Sequence, residues 1–302
     1  MMTTRLESAL RLEFPSVQAW KLRAWLELVK PRITVMILLV AIAGFWLASD
    51  APPDWSRMLA PAAGIAMLAA GIFALNQYLE RDLDALMRRT ETRPLPAGKL
   101  TPDQALWFGV AASVLAVLSL SLLVNFLSGL LALITAGSYL FLYTPLKRRT
   151  PHCTLIGAFP GAMPPLIGWA AARGRLSVEA WVLFGILFLW QFPHFHSIAW
   201  LYREDYGRAR IRMWPVIEAG GRVTAWQIAA FSSMLLPVSL LPAYLQLSGR
   251  AYLWAALILG VMFLYFSIRT ALAMSRTRAR QLLLASVLYL PLLFLMMVLA
   301  KH

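Results

Sequence analysis

Nine near-continuous apolar stretches, each long enough to cross a lipid bilayer, take up most of this chain. They fall at about 33–49, 58–79, 105–124, 126–143, 154–172, 178–202, 224–247, 251–274 and 281–300. A segment in hydrocarbon must satisfy its own backbone polar groups, and stretches of about 20 residues do so as helices. The expected fold is therefore all-α, a polytopic membrane protein with nine transmembrane helices arranged around a central cavity. With 60% hydrophobic and 14% charged residues, the chain is too apolar for a soluble domain. Nine spans leave room only for short tails, so residues 1–302 read as a single membrane domain, with 1–30 a cytoplasmic, interfacial N-terminal segment.

The net charge of +14 raises the question of a nucleic-acid partner. Its distribution answers it. With the N-terminus in the cytoplasm, 23 of the 28 Lys and Arg residues fall on the inner side and 5 on the outer. Such a bias is the positive-inside pattern, which puts the N-terminus in and the C-terminus out and needs no nucleic acid. Cys153 is the only cysteine, so no intrachain disulfide can form. Residues 1–30 lack the apolar core of a cleaved signal peptide. Trp20, Lys21, Arg23, Trp25 and Lys30 read instead as a helix lying on the inner leaflet.

The second span ends in a polar run, Asn76-Gln77-Tyr78-Leu79-Glu80-Arg81-Asp82-Leu83-Asp84, followed by Arg88, Arg89, Arg93 and Lys99. Asn76, Glu80 and Asp84 recur every four residues, which places them on one side of a helix. Asp82 lies roughly 200° from Glu80 and points elsewhere. Spans 2 and 6 run in the same direction, so the polar cluster after span 6 (Tyr202 to Arg212) lies on the same membrane face. Within span 6, His194 and Asp205 share a side to within roughly 20°, whereas His196 is about 180° from Asp205. Span 5 holds Gly157, Pro160, Gly161, Pro164, Pro165 and Gly168 and is expected to be kinked and packed inside.

Most acids and arginines at helix ends are solvated flanks, and Asp82, Glu91 and Asp103 read that way. Glu80 with Asp84 is different, because both align with Asn76 at a membrane edge, where ionisable groups are costly. Two carboxylates and an amide oxygen suit Mg²⁺, which takes one or two carboxylates and fills its shell with phosphate oxygens and water. Arg88, Arg89, Arg93, Lys147 and Arg148 would neutralise a diphosphate. A substrate with a diphosphate head and an apolar tail would fit such a face. The apolar setting of His194 and His196 is equally compatible with a neutral histidine hydrogen-bonded to a neighbouring helix.

At these residues the chain resembles the UbiA-type intramembrane prenyltransferases. The run 76–98 (NQYLERDLDALMRRTETRPLPAG) is similar to their first signature. The segment 190–215 (WQFPHFHSIAWLYREDYGRARIRMWP), with 143–153 and 157–169, is similar to the branch that farnesylates haem. The likeness covers roughly the whole chain. It implies that Asn76, Glu80 and Asp84 bind Mg²⁺-diphosphate, that Tyr143 and Lys147 contact the diphosphate, and that Asp205 belongs to the second acidic motif and completes the metal set. Catalytic weight would then rest on Asp84, Lys147, Asp205 and Tyr143. His194 would ligate or orient the haem, and Arg203 or Arg208 would pair with a propionate.

The sequence also departs from that pattern. Gln77 stands where relatives often have Asp, Glu80 replaces a common Asp, and Leu201 stands four before Asp205 where a second Asp is usual. Cys153 replaces a common Asn, and 210–215 (RIRMWP) replaces a usual Gly-Ile-Pro-Met-Leu-Pro run.

The resemblance implies an enzyme of the plasma (inner) membrane that transfers farnesyl from farnesyl diphosphate to a vinyl group of haem B, giving haem O. Mg²⁺ is the expected cofactor, haem B is a substrate, and the active site faces the cytoplasm. Beyond the two substrates and the lipid bilayer, the expected partner is a downstream haem-modifying enzyme or oxidase assembly factor. Two other readings stand beside it. One is a prenyltransferase of the same superfamily acting on an aromatic acid or quinone precursor. The other is a transporter, although transporters commonly hold their ionisable groups near the bilayer midplane.

Overall fold

The computed structural model describes residues 17–50 and 55–301. The tail before Val17 lies outside the described residues. Among the described residues, nine helices are long and apolar enough to cross a membrane. A shorter helix, α1 (Val17–Val29), precedes them. The nine are α2 (Pro31–Ala48), α3 (Ser56–Asp84), α4 (Pro102–Val124), α5 (Phe126–Leu146), α6 (Cys153–Arg173), α7 (Val178–Leu201), α8 (Arg222–Tyr244), α9 (Arg250–Leu272) and α10 (Arg276–Leu299).

Each apolar stretch of the sequence corresponds to one of these helices. The bounds differ most where polar residues continue a helix. α3 runs on through Glu80 to Asp84, because helical backbone bonds persist after side-chain hydropathy has fallen. The Asn76, Glu80, Asp84 row is thus on a continuous helix.

Short breaks shape the bundle. Asn125 ends α4 in an extended conformation and caps α5, accepting a 2.9 Å hydrogen bond from the Ser128 N–H. Its amide also donates to the Ala170 carbonyl at 2.8 Å, which ties this corner to α6. In α5 the stretch Ser138–Tyr143 is a π-helical turn. Such turns add a residue to the helix and are frequent at functional sites. This one ends on Tyr143.

α6 breaks at Ala162 into Cys153–Gly161 and Met163–Arg173. Pro160 interrupts the ladder of hydrogen bonds, and Pro164 and Pro165 open the second half, where no N–H is needed. α6 is the most buried of the spans. A Cβ at Gly168 would strike the Ala41 carbonyl, and one at Gly44 would strike the Pro165 carbonyl. The α2 and α6 backbones therefore touch, as small residues allow in membrane bundles.

At this far end the chain is clasped shut. Lys301 donates to the carbonyls of Trp46 (2.6 Å) and Ser49. Arg173 donates to the Ala48 carbonyl and pairs with Asp50. The lateral surface is studded with exposed apolar side chains such as Leu122, Leu123, Phe126, Phe141, Trp226 and Leu272, as a lipid-facing perimeter requires.

Candidate active site

The opposite end gathers the acids. Asn76, Glu80, Asp84 and Asp205 are all buried, with Asp84 only 1% exposed. Buried carboxylates need partners, and each of these has a cation. Lys147 Nζ lies 2.7 Å from Glu80 Oε1. Arg93 Nη1 donates to both Asp84 oxygens, at 2.8 and 2.7 Å. Arg208 pairs with Asp205, which also accepts the backbone N–H of Arg89 at 3.3 Å. The last bond joins the loop after α3 to the short helix Arg203–Arg208 after α7, so the two polar clusters expected on one face are in contact.

Local structure explains the placement. After Asp84 the chain folds through tight turns into a cap. Thr90 Oγ1 donates to the Asp84 carbonyl at 2.9 Å and holds the first turn. Leu95 and Leu100 pack with Ala24 and Leu28 of α1 and with Ala74 and Ala105. Met87 packs with Ala209 and Ile211. These contacts bring Arg93 back over Asp84. Across the site, the Arg212 N–H donates to the Lys147 carbonyl at 2.8 Å, and Cys153 Sγ lies 3.8 Å from the Arg212 carbonyl. A proline at 212, usual in the resembling sequences, would lack that donor. Arg210 has φ 54°, a left-handed conformation that suits the glycine usual there.

Tyr143 lies beside Lys147, whose Nζ is 4.4 Å from the ring centroid. The ring packs on Gly157, where a Cβ would clash with it. Burial works against the Lys147 charge, yet Glu80, helped by Tyr143 and Tyr139, holds its ammonium well above the usual lysine range.

The arginines divide. Arg89 stacks near the rings of Tyr202 and Tyr206, at 5.1 and 5.8 Å, and Arg203 lies over Trp200 at 4.9 Å. Arg88 and Arg148 are exposed at the rim. Gln77, where relatives often have Asp, donates to the Leu28 carbonyl at 2.8 Å and ties α1 to α3. It faces away from the Glu80 row.

The histidines of α7 also divide. His194 Nδ1 is 2.8 Å from Ser286 Oγ of α10, and its ring stacks on Trp190 at 4.5 Å. His196 is fully buried and lies against the Gln227 side chain of α8.

Lys30 is the site residue that the sequence does not single out. It reads there as one more cation of the interfacial segment. In the structure it links α1 to α2 in a left-handed conformation (φ 49°), and its ammonium sits 4.9 Å from the Phe73 ring. It has no carboxylate within ion-pair distance among the described residues. Burial, then Arg93 and Lys147, lower its pKa to about 7, and Glu80 and Asp84 only partly offset them. A Lys-Pro pair opening the first span was the only signal available.

The oxygen donors of Asn76, Glu80, Asp84 and Asp205 suit a hard cation, and the Asn76 amide nitrogen is turned toward Thr144 Oγ1 (3.4 Å), which leaves its carbonyl oxygen for one. Among the described residues no three acids converge on one point that could hold a metal. The set therefore fits a metal that arrives with phosphate oxygens, rather than a bare ion in a protein cage.

A family model described as UbiA prenyltransferase matches residues 37–298. A protoheme IX farnesyltransferase of Solibacter usitatus is 50% identical over 289 residues, which cover 93% of this chain and 99% of that protein. One of Koribacter versatilis is 48% identical over 290 residues, covering 93% and 94%. A solved structure of digeranylgeranylglyceryl phosphate synthase superposes with a TM-score of 0.78 at 18% identity, covering 93% of this chain and 98% of that one. A UbiA homolog from Archaeoglobus fulgidus bound to GPP and Mg²⁺ gives 0.63 at 15%, covering 91% and 99%. At such identities the solved structures speak for the fold, while the family match and the curated relatives speak for descent. Nine spanning helices, a polar face closed by paired acids and bases, and these likenesses together make the chain an integral membrane protein that belongs to the UbiA prenyltransferase family, with the protoheme IX farnesyltransferases as its near relatives.

Proposed function

We propose that this enzyme transfers farnesyl from farnesyl diphosphate to a vinyl group of haem B, producing haem O. The observation that carries the proposal is the meeting of three buried acids, each paired with a cation, at one end of an apolar bundle. Each acid is matched to a cation and each cation to an anion, so an incoming Mg²⁺-diphosphate can exchange partners with all of them. The acids would turn to the metal and the bases to the phosphates.

In this reading Asn76, Glu80, Asp84 and Asp205 hold Mg²⁺, which when bound neutralises the diphosphate as a leaving group. Lys147, Arg93 and Arg89 hold the phosphate oxygens, with Arg88 and Arg148 guiding the anion from the rim. Lys30, near enough to Arg93, Lys147, Glu80 and Asp84 to feel their charges, supplies a further cation once the diphosphate binds. Tyr143 presents an aromatic face beside Lys147, suited to an allylic cation. The farnesyl tail lies between apolar helices, where burying its carbons contributes up to roughly 10 kcal/mol.

For the haem, the hydrogen-bond network around His194 is informative. The Ser286 hydroxyl donates its one hydrogen to the Leu283 carbonyl at 2.6 Å. It therefore accepts from His194 Nδ1–H, which leaves Nε2 with its lone pair. A second hydrogen bond, Trp190 Nε1 to the Ser286 carbonyl at 2.9 Å, fixes the ring on which His194 stacks. A neutral imidazole held through Nδ1 is the arrangement of a metal-binding histidine. His194 is assigned to the haem iron and Arg203 to a propionate.

The positive-inside count supports a site on the cytoplasmic face of the inner membrane and a C-terminus outside. A downstream haem-modifying enzyme or oxidase assembly factor would receive haem O. The test is an assay of membranes holding the protein, with haem B, farnesyl diphosphate and Mg²⁺, and haem O read by chromatography. Absence of haem O from folded protein overturns the proposal.

A further inference from the structure

Beyond the paired acids, a second group of cations gathers where α1 meets the cap that follows α3. α1 carries three rows of side chains, each spaced i, i+4. Ala24 and Leu28 are buried against Leu95 and Leu100 of the cap. Leu22 and Leu26 are exposed, at 62% and 48%. Successive residues turn by roughly 100°, so Arg23 and Glu27 form the row between these two. The charged row thus runs along the border between the cap and an apolar face that no part of the described bundle covers.

A cavity of about 380 Å³ opens along that border, lined by Arg23, Glu27, Thr92, Arg93, Pro94 and Lys99. Sites for small ligands begin at about 300 Å³. Three cations face one acid, so the lining carries an excess of positive charge. None of the acids assigned to Mg²⁺ lines it, and Arg93 alone is shared with the site described above.

These cations are reachable and only partly used. Arg23 bonds to Glu27 through Nε at 3.1 Å, and its side chain is 82% exposed. Lys99 donates to Glu27 at 3.3 Å and to the Thr92 carbonyl at 3.0 Å, which leaves one of its three N–H groups. Arg93 holds Asp84 through Nη1 alone. Among the described residues, the two Nη groups of Arg23 and the Nε and Nη2 of Arg93 therefore keep their donors for a ligand. Guanidinium groups match the oxygens of a phosphate in pairs.

We propose that this cavity seats the phosphodiester of an anionic phospholipid, whose acyl chains lie along Leu22 and Leu26. An apolar row beside a charged one is the pattern of a helix at headgroup level, which favours a lipid over a free anion. Basic pockets beside spanning helices take acidic headgroups, and the excess of cations favours such a headgroup over a zwitterionic one. The bound lipid joins α1 to residues 92–99 and grips Arg93 by the edge that Asp84 leaves. The site needs no farnesyl transfer, so its test is separate from that of the reaction.

The test is native mass spectrometry of the full-length protein in detergent, titrated with phosphatidylglycerol or phosphatidylethanolamine of the same acyl chains. The parent should bind its first phosphatidylglycerol roughly tenfold more tightly, and Arg23→Gln combined with Lys99→Gln should bring the two lipids near parity. Glu27→Gln removes the acid from the lining and should tighten phosphatidylglycerol roughly threefold. Arg222→Gln combined with Arg276→Gln removes two exposed cations from the starts of α8 and α10, at the same end of the bundle, and should leave the preference intact. Equal binding of the two lipids by the parent overturns the proposal, as does an equal loss of preference in the α8 and α10 variant. Displacement of phosphatidylglycerol by an equal concentration of inorganic phosphate would give the cavity to a free anion and overturn the lipid assignment.

Discussion

Removing the Lys147 ammonium should cost this protein twice, once in stability and once in substrate binding. Lys147 and Glu80 pair at 2.7 Å with side chains only 14% and 10% exposed. Deleting one partner of a buried pair strands the other charge, at about 3–5 kcal/mol. Lys147→Met should destabilise the ligand-free protein by about that much, because Glu80 would stay buried without its cation. Glu80→Gln combined with Lys147→Met removes both charges, and the double variant should recover about 1–3 kcal/mol over the single. Function should not recover. A charge-assisted hydrogen bond contributes about 1.5–3 kcal/mol, so diphosphate binding should weaken roughly ten- to a hundredfold in both variants. Denaturant melts in detergent and calorimetric binding of farnesyl diphosphate with Mg²⁺ read the two effects separately. A single variant as stable as the parent, or a double no more stable than the single, would refute the exchange of partners argued above.

Asp84→Asn should lower turnover by about a hundredfold or more without unfolding the protein, and chelation of divalent ions should do the same. Because the Lys30 pKa lies near 7 rather than 10.5, the ligand-free lysine is mostly neutral above neutrality. A bound diphosphate should then recharge it, so titration calorimetry in buffers of different ionisation enthalpy should show proton uptake between those values, absent in Lys30→Met. For the same reason, folding binds fewer protons than the unfolded chain in that window. Lys30 therefore lowers stability as pH falls from 10.5 toward 7 and adds no further change below. Arg210→Gly should raise stability by about 1 kcal/mol, since the left-handed backbone at φ 54° strains a residue with a Cβ. Ser286→Ala should perturb the optical spectrum of bound haem by freeing the His194 ring; a spectrum identical to the parent's would count against His194 as the ligand.

Hydropathy made the nine spans legible because the bilayer demands length and apolarity of each segment independently of its neighbours. The Asn76, Glu80, Asp84 row was legible for a similar reason, since its helix is local and its spacing fixed. Pairings across the fold were not. Nothing near His194 in the chain points to Ser286, 92 residues later, and nothing near Arg89 points to Asp205. The sequence marked Gln77 only as a departure from a common Asp, and its partner, the Leu28 carbonyl 49 residues earlier, could not be read from it. Lys30 was hidden by the abundance of cations on its side of the membrane, and only its turn toward Phe73 sets it apart from Lys21 and Arg23.

The clasp of Lys301 and Arg173 on the C-terminal end of α2, together with the touching backbones at Gly44 and Gly168, ties the helices together at the end away from the acids. In the proposed reaction the spent pyrophosphate is released at the acid-lined end, so hydrolysis in the water that meets that end can drain it and keep the condensation running forward.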